Sequence, residues 1–211
     1  MIASPLIAWL EDLDAPPAPA DAWVLTARGP DPGVAARPAF EDLSDAAVVP
    51  SSDGGAARLL RRRMLRALAA RVLSVPAEAI AFERRDGVTR ITAPRPMCAS
   101  AAGRGVWQAV ALSAHPVGVD LELTANSGEA ARLWPALAPR KALEQWTAAE
   151  AWAKASGRPL DQALASGRRR LQPGAVVHRA DYVACAVVLC PPDPESFRPV
   201  WASSAWPRSW G

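Results

Sequence analysis

Apolar residues recur at helical spacing over Gly55–Leu73. The repeat, one residue in every four, consists of Leu60, Met64, Leu68 and Val72. This spacing places the four side chains on one face of an α-helix. Arginines with the same spacing lie on another face: Arg58, Arg62 and Arg66. The segment therefore predicts an amphipathic helix with a basic ridge, which is either a solvated face or a site for an anion.

Apolar or alternating runs elsewhere predict the strands, and residues 142–156 predict a second long helix that Gly157 ends. The strands are expected at 23–25, 79–84, 88–92, 106–113, 117–122, 176–179 and 182–189. Asn126 and Ser127 are expected to cap a shorter helix that breaks near Pro135 or Pro139. Most of residues 28–57 and all of 93–104 are rich in small or turn-forming residues, and we expect loops there.

The order of these elements predicts an α+β fold. We expect two similar α/β halves in a pseudo-two-fold arrangement, residues 1–115 and residues 116–211. The first half contains the arginine-rich helix, a hairpin and a strand; the second contains the strand at 117–122, the second long helix and a closing hairpin. No sequence identity between the halves supports a repeat directly.

Composition narrows the class of protein. The chain has 211 residues and a net charge of +3, with three cysteines that lack metal-ligand spacing and only two histidines. Arginines also cluster at residues 168–170, but the basic residues are not interleaved with aromatic ones, so we expect no nucleic-acid partner. No signal peptide or membrane-spanning run is evident. We expect a cytoplasmic monomer with reduced cysteines.

Candidate chemistry begins at residues 117–122, Val-Gly-Val-Asp-Leu-Glu. In a strand, Val119 and Leu121 point to one face while Asp120 and Glu122 point to the other. Neighbouring carboxylates repel each other unless a cation lies between them, and Mg²⁺ favours such a pair together with phosphate oxygens. The alternative is a half-exposed edge strand with two acids on its solvent face.

Downstream, Trp146, Glu150 and Lys154 are spaced i, i+4 and i+8 along the second long helix. They therefore lie along one helix face. The plainer interpretation is a tryptophan at the core edge beside an ordinary Glu-Lys surface pair.

The strand at 117–122 followed by Trp146-Thr-Ala-Ala-Glu150-Ala-Trp-Ala-Lys154-Ala-Ser-Gly157 resembles the 4′-phosphopantetheinyl transferases, in particular the Sfp type with two similar halves. The family pattern is G-[VI]-D-x-E, then W-x-x-K-E-x-x-x-K-x-x-G. The similarity covers roughly residues 55–190.

The resemblance implies Mg²⁺-dependent transfer of 4′-phosphopantetheine from coenzyme A to a serine of an acyl or peptidyl carrier protein. It implies that Asp120, Glu122 and Glu150 bind Mg²⁺ with the pyrophosphate of coenzyme A. Glu150 would act as, or position, the catalytic base, and Lys154 would steady the charge on the leaving 3′,5′-ADP. Arg66, assisted by Arg62 or Arg58, would contact the 3′-phosphate of coenzyme A.

The chain departs from the family pattern at three phosphate-binding places. Val88 follows Gly87 where the family has Lys-Pro, residues 98–102 contain no histidine, and Ala149 stands where a lysine is usual. The arginine-rich helix, or Arg84 and Arg104 together, would have to supply replacement cations. Two alternatives therefore stay open: a non-catalytic family member that binds a carrier protein or a nucleotide-like anion, and an unrelated α+β interaction module.

Overall fold

A computed structural model describes residues 5–14, 17–29, 55–85, 88–167 and 175–189. Within these ranges the fold is α+β, as predicted, and has two β-sheets and several helices. The expected pseudo-two-fold relationship and the division at residue 115 stay predictions. The loop expected over 28–57 lies mostly outside the described residues, as do the turn at 86–87 and the arginines at 168–170.

The first sheet has six strands in the order β1-β2-β6-β5-β4-β3. They are β1 (Ile7–Leu10), β2 (Ala22–Arg28), β3 (Ala81–Arg85), β4 (Val88–Ala93), β5 (Met97–Arg104) and β6 (Trp107–Ser113). β1 pairs with β2 in parallel, and the other pairings are antiparallel. The predicted hairpin is therefore confirmed as β3 and β4.

The loop prediction for residues 93–104 is wrong, because Met97–Arg104 forms β5 near the middle of the first sheet. Its sequence consists mostly of Ala, Ser and Gly, which have low intrinsic strand propensity. Small side chains are needed here, because β5 lies close to the second sheet. The Ser100 hydroxyl accepts a hydrogen bond of 3.1 Å from the backbone N–H of Val119. Tertiary packing thus overrides local preference.

Helix α1 spans Gly55–Leu73, as the apolar repeat predicts. It covers one face of the first sheet, where Met64 and Leu68 pack against Leu25, Val110 and Leu112. The residues that alternate with these along the strands point to the other face of the sheet and form a second core with the second sheet. The first-sheet members of this second core are Val24, Ala102, Ala109 and Ala111, and the second-sheet members include Val119 and Leu121.

The second sheet has the order β7-β9-β8, with β7 at Val117–Leu123, β8 at Ala175–His178 and β9 at Tyr182–Val188. All its pairings are antiparallel. Helix α2 (Ser127–Leu133), helix α3 (Pro139–Ser156) and helix α4 (Leu160–Gly167) belong to this part of the chain. Gly157 ends α3 with a φ of 66°, the left-handed conformation expected for its position. The sequence pattern did not predict α4.

No helix in the described part of the chain is long and apolar enough to cross a membrane. Cys98 and Cys185 carry free thiols. Burial raises the pKa of the Cys185 thiol to about 12, so it is inert as a nucleophile near neutral pH. Cys190 lies outside the described residues.

Candidate metal centre

Strand β7 lies between two layers and has no solvent face. Val119 and Leu121 point into the core between the two sheets, and Asp120 and Glu122 point the opposite way, toward α3. Asp120 is 4% exposed and Glu122 is 3% exposed. The alternation predicted for this strand is therefore present, but the half-exposed edge strand is excluded, because both carboxylates are buried.

Gly118 sets the distance between β7 and α3. A Cβ atom at this position would overlap the carbonyl group of Ala151 and crowd the backbone of Ala155. The face of α3 that covers the second sheet is correspondingly small, with Ala148, Ala151 and Ala155 all buried. This contact between backbones brings short carboxylate side chains on the strand within reach of side chains on the helix.

Three carboxylates converge at this contact. One oxygen from each of Asp120, Glu122 and Glu150 lies within 4.8 Å of the other two. The first two come from β7, and Glu150 comes from the middle of α3. The structure thus assembles the three residues for which the sequence resemblance implied a common metal.

Lys154, one helical turn after Glu150, lies at the same cluster. Its ammonium donates hydrogen bonds to Asp120 Oδ1 at 2.6 Å and to the carbonyl oxygen of Val119 at 3.2 Å. Asp120 Oδ2 is buried and accepts no hydrogen bond from any described group. Burial is the main cause that raises the pKa of Asp120 to about 8. The Lys154 ammonium opposes the rise, whereas Glu150 adds to it, because the two carboxyl groups can share a proton in a hydrogen bond and because their charges repel.

Glu122 is held by Arg104, which the sequence suggested only as a replacement cation for phosphate, and by Asn126, which was predicted only as a helix cap. Arg104, at the end of β5, donates from Nε to Oε1 and Oε2 at 3.0 and 3.1 Å and from Nη2 to Oε1. Asn126 donates from Nδ2 to Oε2 at 3.1 Å. The hydrogen bond to Glu122, with further attraction from Glu150 and Asp120, raises the pKa of the Arg104 guanidinium. Asn126 stands at the N-cap position of α2 as predicted, but its side chain makes no capping hydrogen bond.

The described residues fit a hard divalent cation. All three side chains offer carboxylate oxygens, the ligands that Mg²⁺ and Ca²⁺ prefer. The bare Asp120 Oδ2 is a buried acceptor whose desolvation is uncompensated, and a cation would offset that cost. Two protein cations, from Arg104 and Lys154, face three carboxylates, which leaves the cluster acidic when all three are ionised.

The arginines of α1 lie elsewhere. Arg66 is 3% exposed, and its Nη1 donates to the carbonyl oxygens of Ala77 and Ile80 at 3.1 and 2.5 Å. The guanidinium groups of Arg62 and Arg66 both lie over the ring of Phe82, at 4.6 and 4.9 Å. Because α1 covers the face of the first sheet opposite to β7, the sheet separates these arginines from the carboxylates.

Trp146 does not join the cluster. Its ring packs edge-on against Trp134, with centroids 6.4 Å apart, in the small core that Leu143 and Val183 share. These contacts support the plainer interpretation of Trp146, a tryptophan at the edge of the core.

Comparison with protein-family models and with curated proteins finds no match to this chain.

Proposed function

We propose that this protein is an Mg²⁺-dependent transferase that moves 4′-phosphopantetheine from coenzyme A to a serine of an acyl or peptidyl carrier protein. The observation that carries the proposal is the convergence of Asp120, Glu122 and Glu150, with Lys154 bonded to Asp120. The same four residues form the motif that resembles the 4′-phosphopantetheinyl transferases. Their order along the chain and their proximity in the fold are independent observations.

The reaction requires charge neutralisation and positioning more than covalent chemistry by the protein. Mg²⁺ held by the carboxylate cluster would neutralise charge on the diphosphate of coenzyme A. The carrier-protein serine oxygen forms the new bond to phosphorus, and the bond from that phosphorus to 3′,5′-ADP breaks.

Glu150 is suited to accept the serine proton, because it is the least buried of the three carboxylates and belongs to the helix rather than to the strand. Lys154 is suited to the negative charge that develops on 3′,5′-ADP, because its side chain is 38% exposed and already lies at the cluster. A lysine ammonium beside a phosphate oxygen forms a charge-assisted hydrogen bond.

Incubation of the protein with apo-carrier protein, coenzyme A and Mg²⁺, followed by intact mass measurement, tests this proposal. We expect the carrier protein to gain one phosphopantetheine group, and we expect Glu150→Gln to lower the rate by roughly 100-fold or more through loss of the base. Glu144→Gln is the matched control. Glu144 lies on the same helix but bonds Lys141 and His178. No mass gain on a panel of acyl and peptidyl carrier proteins would contradict the proposal.

The contacts of Arg66 favour a second candidate, a non-catalytic member that binds a carrier protein or a nucleotide-like anion. Its Nη1 donates to two backbone carbonyls inside the protein. Arg66 is therefore not placed to make the contact with the 3′-phosphate that the resemblance implies. Calorimetry with coenzyme A, with and without Mg²⁺, separates the two candidates. Tight binding that depends on Mg²⁺ supports the transferase, whereas weak binding that does not depend on Mg²⁺ supports the second candidate.

A further inference from the structure

The hydrogen bonds of Glu122 distinguish it from the other two carboxylates. Arg104 and Asn126 together direct four donor contacts at its oxygens, two at Oε1 and two at Oε2. These contacts come from three donor nitrogens, because the single Nε–H of Arg104 is shared between both oxygens. Both oxygens of Glu122 therefore already accept hydrogen bonds from the protein, and a metal ion would compete with Arg104 and Asn126 for them.

Asp120 and Glu150 are not committed in this way. Asp120 bonds Lys154 through Oδ1 alone, and its Oδ2 lacks a donor although the residue is 4% exposed. Glu150 forms no ion pair with a described lysine or arginine. The buried, unpartnered oxygen of Asp120 is the observation, beyond the clustering of acids, that points to a cation at this place.

The planar guanidinium group of Arg104 has one edge against Glu122 and the other edge toward solvent. Its side chain is 49% exposed, and its Nη1 has no hydrogen-bond partner among the described residues. A guanidinium presents five donors in a planar fork, and an edge left open beside a carboxylate cluster matches the paired oxygens of a phosphate. Lys154, at Asp120, flanks the cluster with the second cation.

We infer that Asp120 and Glu150 are the protein ligands of the metal, and that Glu122 is a positioning residue that holds Arg104 for the diphosphate of the substrate. The inference rests on the proposed function, since it assigns roles within the same site. The family resemblance implied that all three carboxylates bind the metal. Here only Asp120 and Glu150 bind it, and Glu122 instead holds Arg104 in place. The arginine comes from the first sheet, so both sheets contribute to the substrate-binding side of the site.

Two charge-matched double variants test the assignment of ligands. Arg104→Gln with Glu122→Gln removes one positive and one negative charge, as does Asp120→Asn with Lys154→Gln. In a titration with Mn²⁺ alone, the first pair should keep the affinity of the unsubstituted protein within roughly threefold, because no ligand is lost. The second pair should lower it by roughly 100-fold or more. Equal losses in the two pairs would overturn the assignment.

Arg104→Gln alone tests the role of the arginine, because it should move two affinities in opposite directions. The affinity for Mn²⁺ alone should rise, since a positive charge leaves and Glu122 becomes available. The affinity for inorganic pyrophosphate at saturating Mg²⁺ should fall by roughly tenfold, as expected for one charge-assisted hydrogen bond. Arg104→Lys should restore only part of it, because an ammonium lacks the planar fork.

Arg95→Gln is the control for charge, since Arg95 is an exposed loop residue outside the cluster. It should change neither affinity. Circular dichroism and thermal unfolding of each variant verify that it is folded. An equal fall in both affinities for Arg104→Gln would overturn the role of Arg104. These measurements use no carrier protein, so a negative transfer assay would contradict the proposed function without contradicting this inference.

Discussion

Asp120 combines deep burial with a carboxylate that only one donor satisfies, and this combination gives it an unusual titration. Its pKa of about 8 lies well above the ordinary value of 3.8. The native metal-free protein therefore binds a proton at Asp120 at pH values where the unfolded chain has already released it. A bound metal ion would take the place of that proton.

The titration of Asp120 predicts how the stability of the metal-free protein depends on pH. Between the unfolded pKa and about 8, the native state holds one more proton at this residue than the unfolded state, so stability contributed by the protonated group is lost as pH rises. The slope from one proton is at most about 1.4 kcal/mol per pH unit. Denaturant titrations in EDTA at several pH values, compared between the natural chain and Asp120→Asn, measure it. An unchanged slope in Asp120→Asn would assign the effect to another group.

At the residue scale, the sequence identified all three carboxylates of the cluster and Lys154, but it did not identify the contacts that Arg104 and Asn126 make with Glu122. Asp120 and Glu122 follow from alternation in a strand, and Glu150 and Lys154 from helical spacing together with the family resemblance. Arg104 and Asn126 were not assigned to the cluster, because the contact of Arg104 with Glu122 depends on how the two sheets pack. Arg66 shows the converse case: a basic ridge on a helix can point one of its members into the protein.

Gly118 is the point where two elements, β7 and α3, approach most closely. Gly118→Ala would place a methyl group against the Ala151 carbonyl, so we expect a loss of about 1–3 kcal/mol in the free energy of unfolding. Metal affinity should fall as well, because Asp120 and Glu150 move apart. Urea denaturation and Mn²⁺ titration check the two effects.

Gly128→Ala is the matched control for the Gly118 variant. Gly128 lies in α2, and a Cβ atom there would meet nothing within 4 Å. We expect a change of less than about 1 kcal/mol, in the stabilising direction, because alanine favours helices. Equal destabilisation by the two substitutions would show that close packing at Gly118 is not the cause.

The sequence predicted the elements that carry a local signal, such as a periodic apolar pattern or a terminal glycine. It failed for a strand whose formation depends on tertiary contacts. The apolar repeat of α1 and the glycine that ends α3 are local signals, and the structure has the helix and the helix end that they predict. Strand β5 has no such signal. Its small residues are disfavoured in strands in isolation and are required by the proximity of β7.

On the scale of the whole molecule, a metal ion bound by the cluster would couple its binding to folding. The carboxylates converge only when β7 and α3 are packed together, so the unfolded chain has no equivalent site. At a free Mg²⁺ concentration of about 100 times the dissociation constant, we expect the free energy of unfolding to rise by about 2.7 kcal/mol. Thermal unfolding with and without EDTA measures the effect.

Asp120→Asn is the control for this stabilisation by Mg²⁺. The variant lacks the carboxylate whose Oδ2 has no partner among the described residues, so on the proposed assignment its melting temperature should be insensitive to Mg²⁺. A similar rise in the variant and in the natural chain would place the stabilising ion at another site.

The interface between the sheets extends beyond the cluster. The Trp107 and Tyr182 rings, from the first and second sheets, have centroids 4.6 Å apart, and the Tyr182 hydroxyl donates to Thr26 Oγ1 at 3.3 Å. Sequence patterns within each strand identify which residues are apolar but do not say which strands face each other. The pairing of the two sheets was therefore accessible only from the fold.

All six strands of the first sheet precede Val117 in the chain. During synthesis, that sheet can consequently pair its strands and pack against α1 before β7 and α3 have left the ribosome. Its second face, lined by Val24, Ala109 and Ala111, then faces water until the second sheet arrives. We therefore expect the nascent chain to pass through a stage with an exposed apolar surface, during which chaperone binding would have its greatest effect.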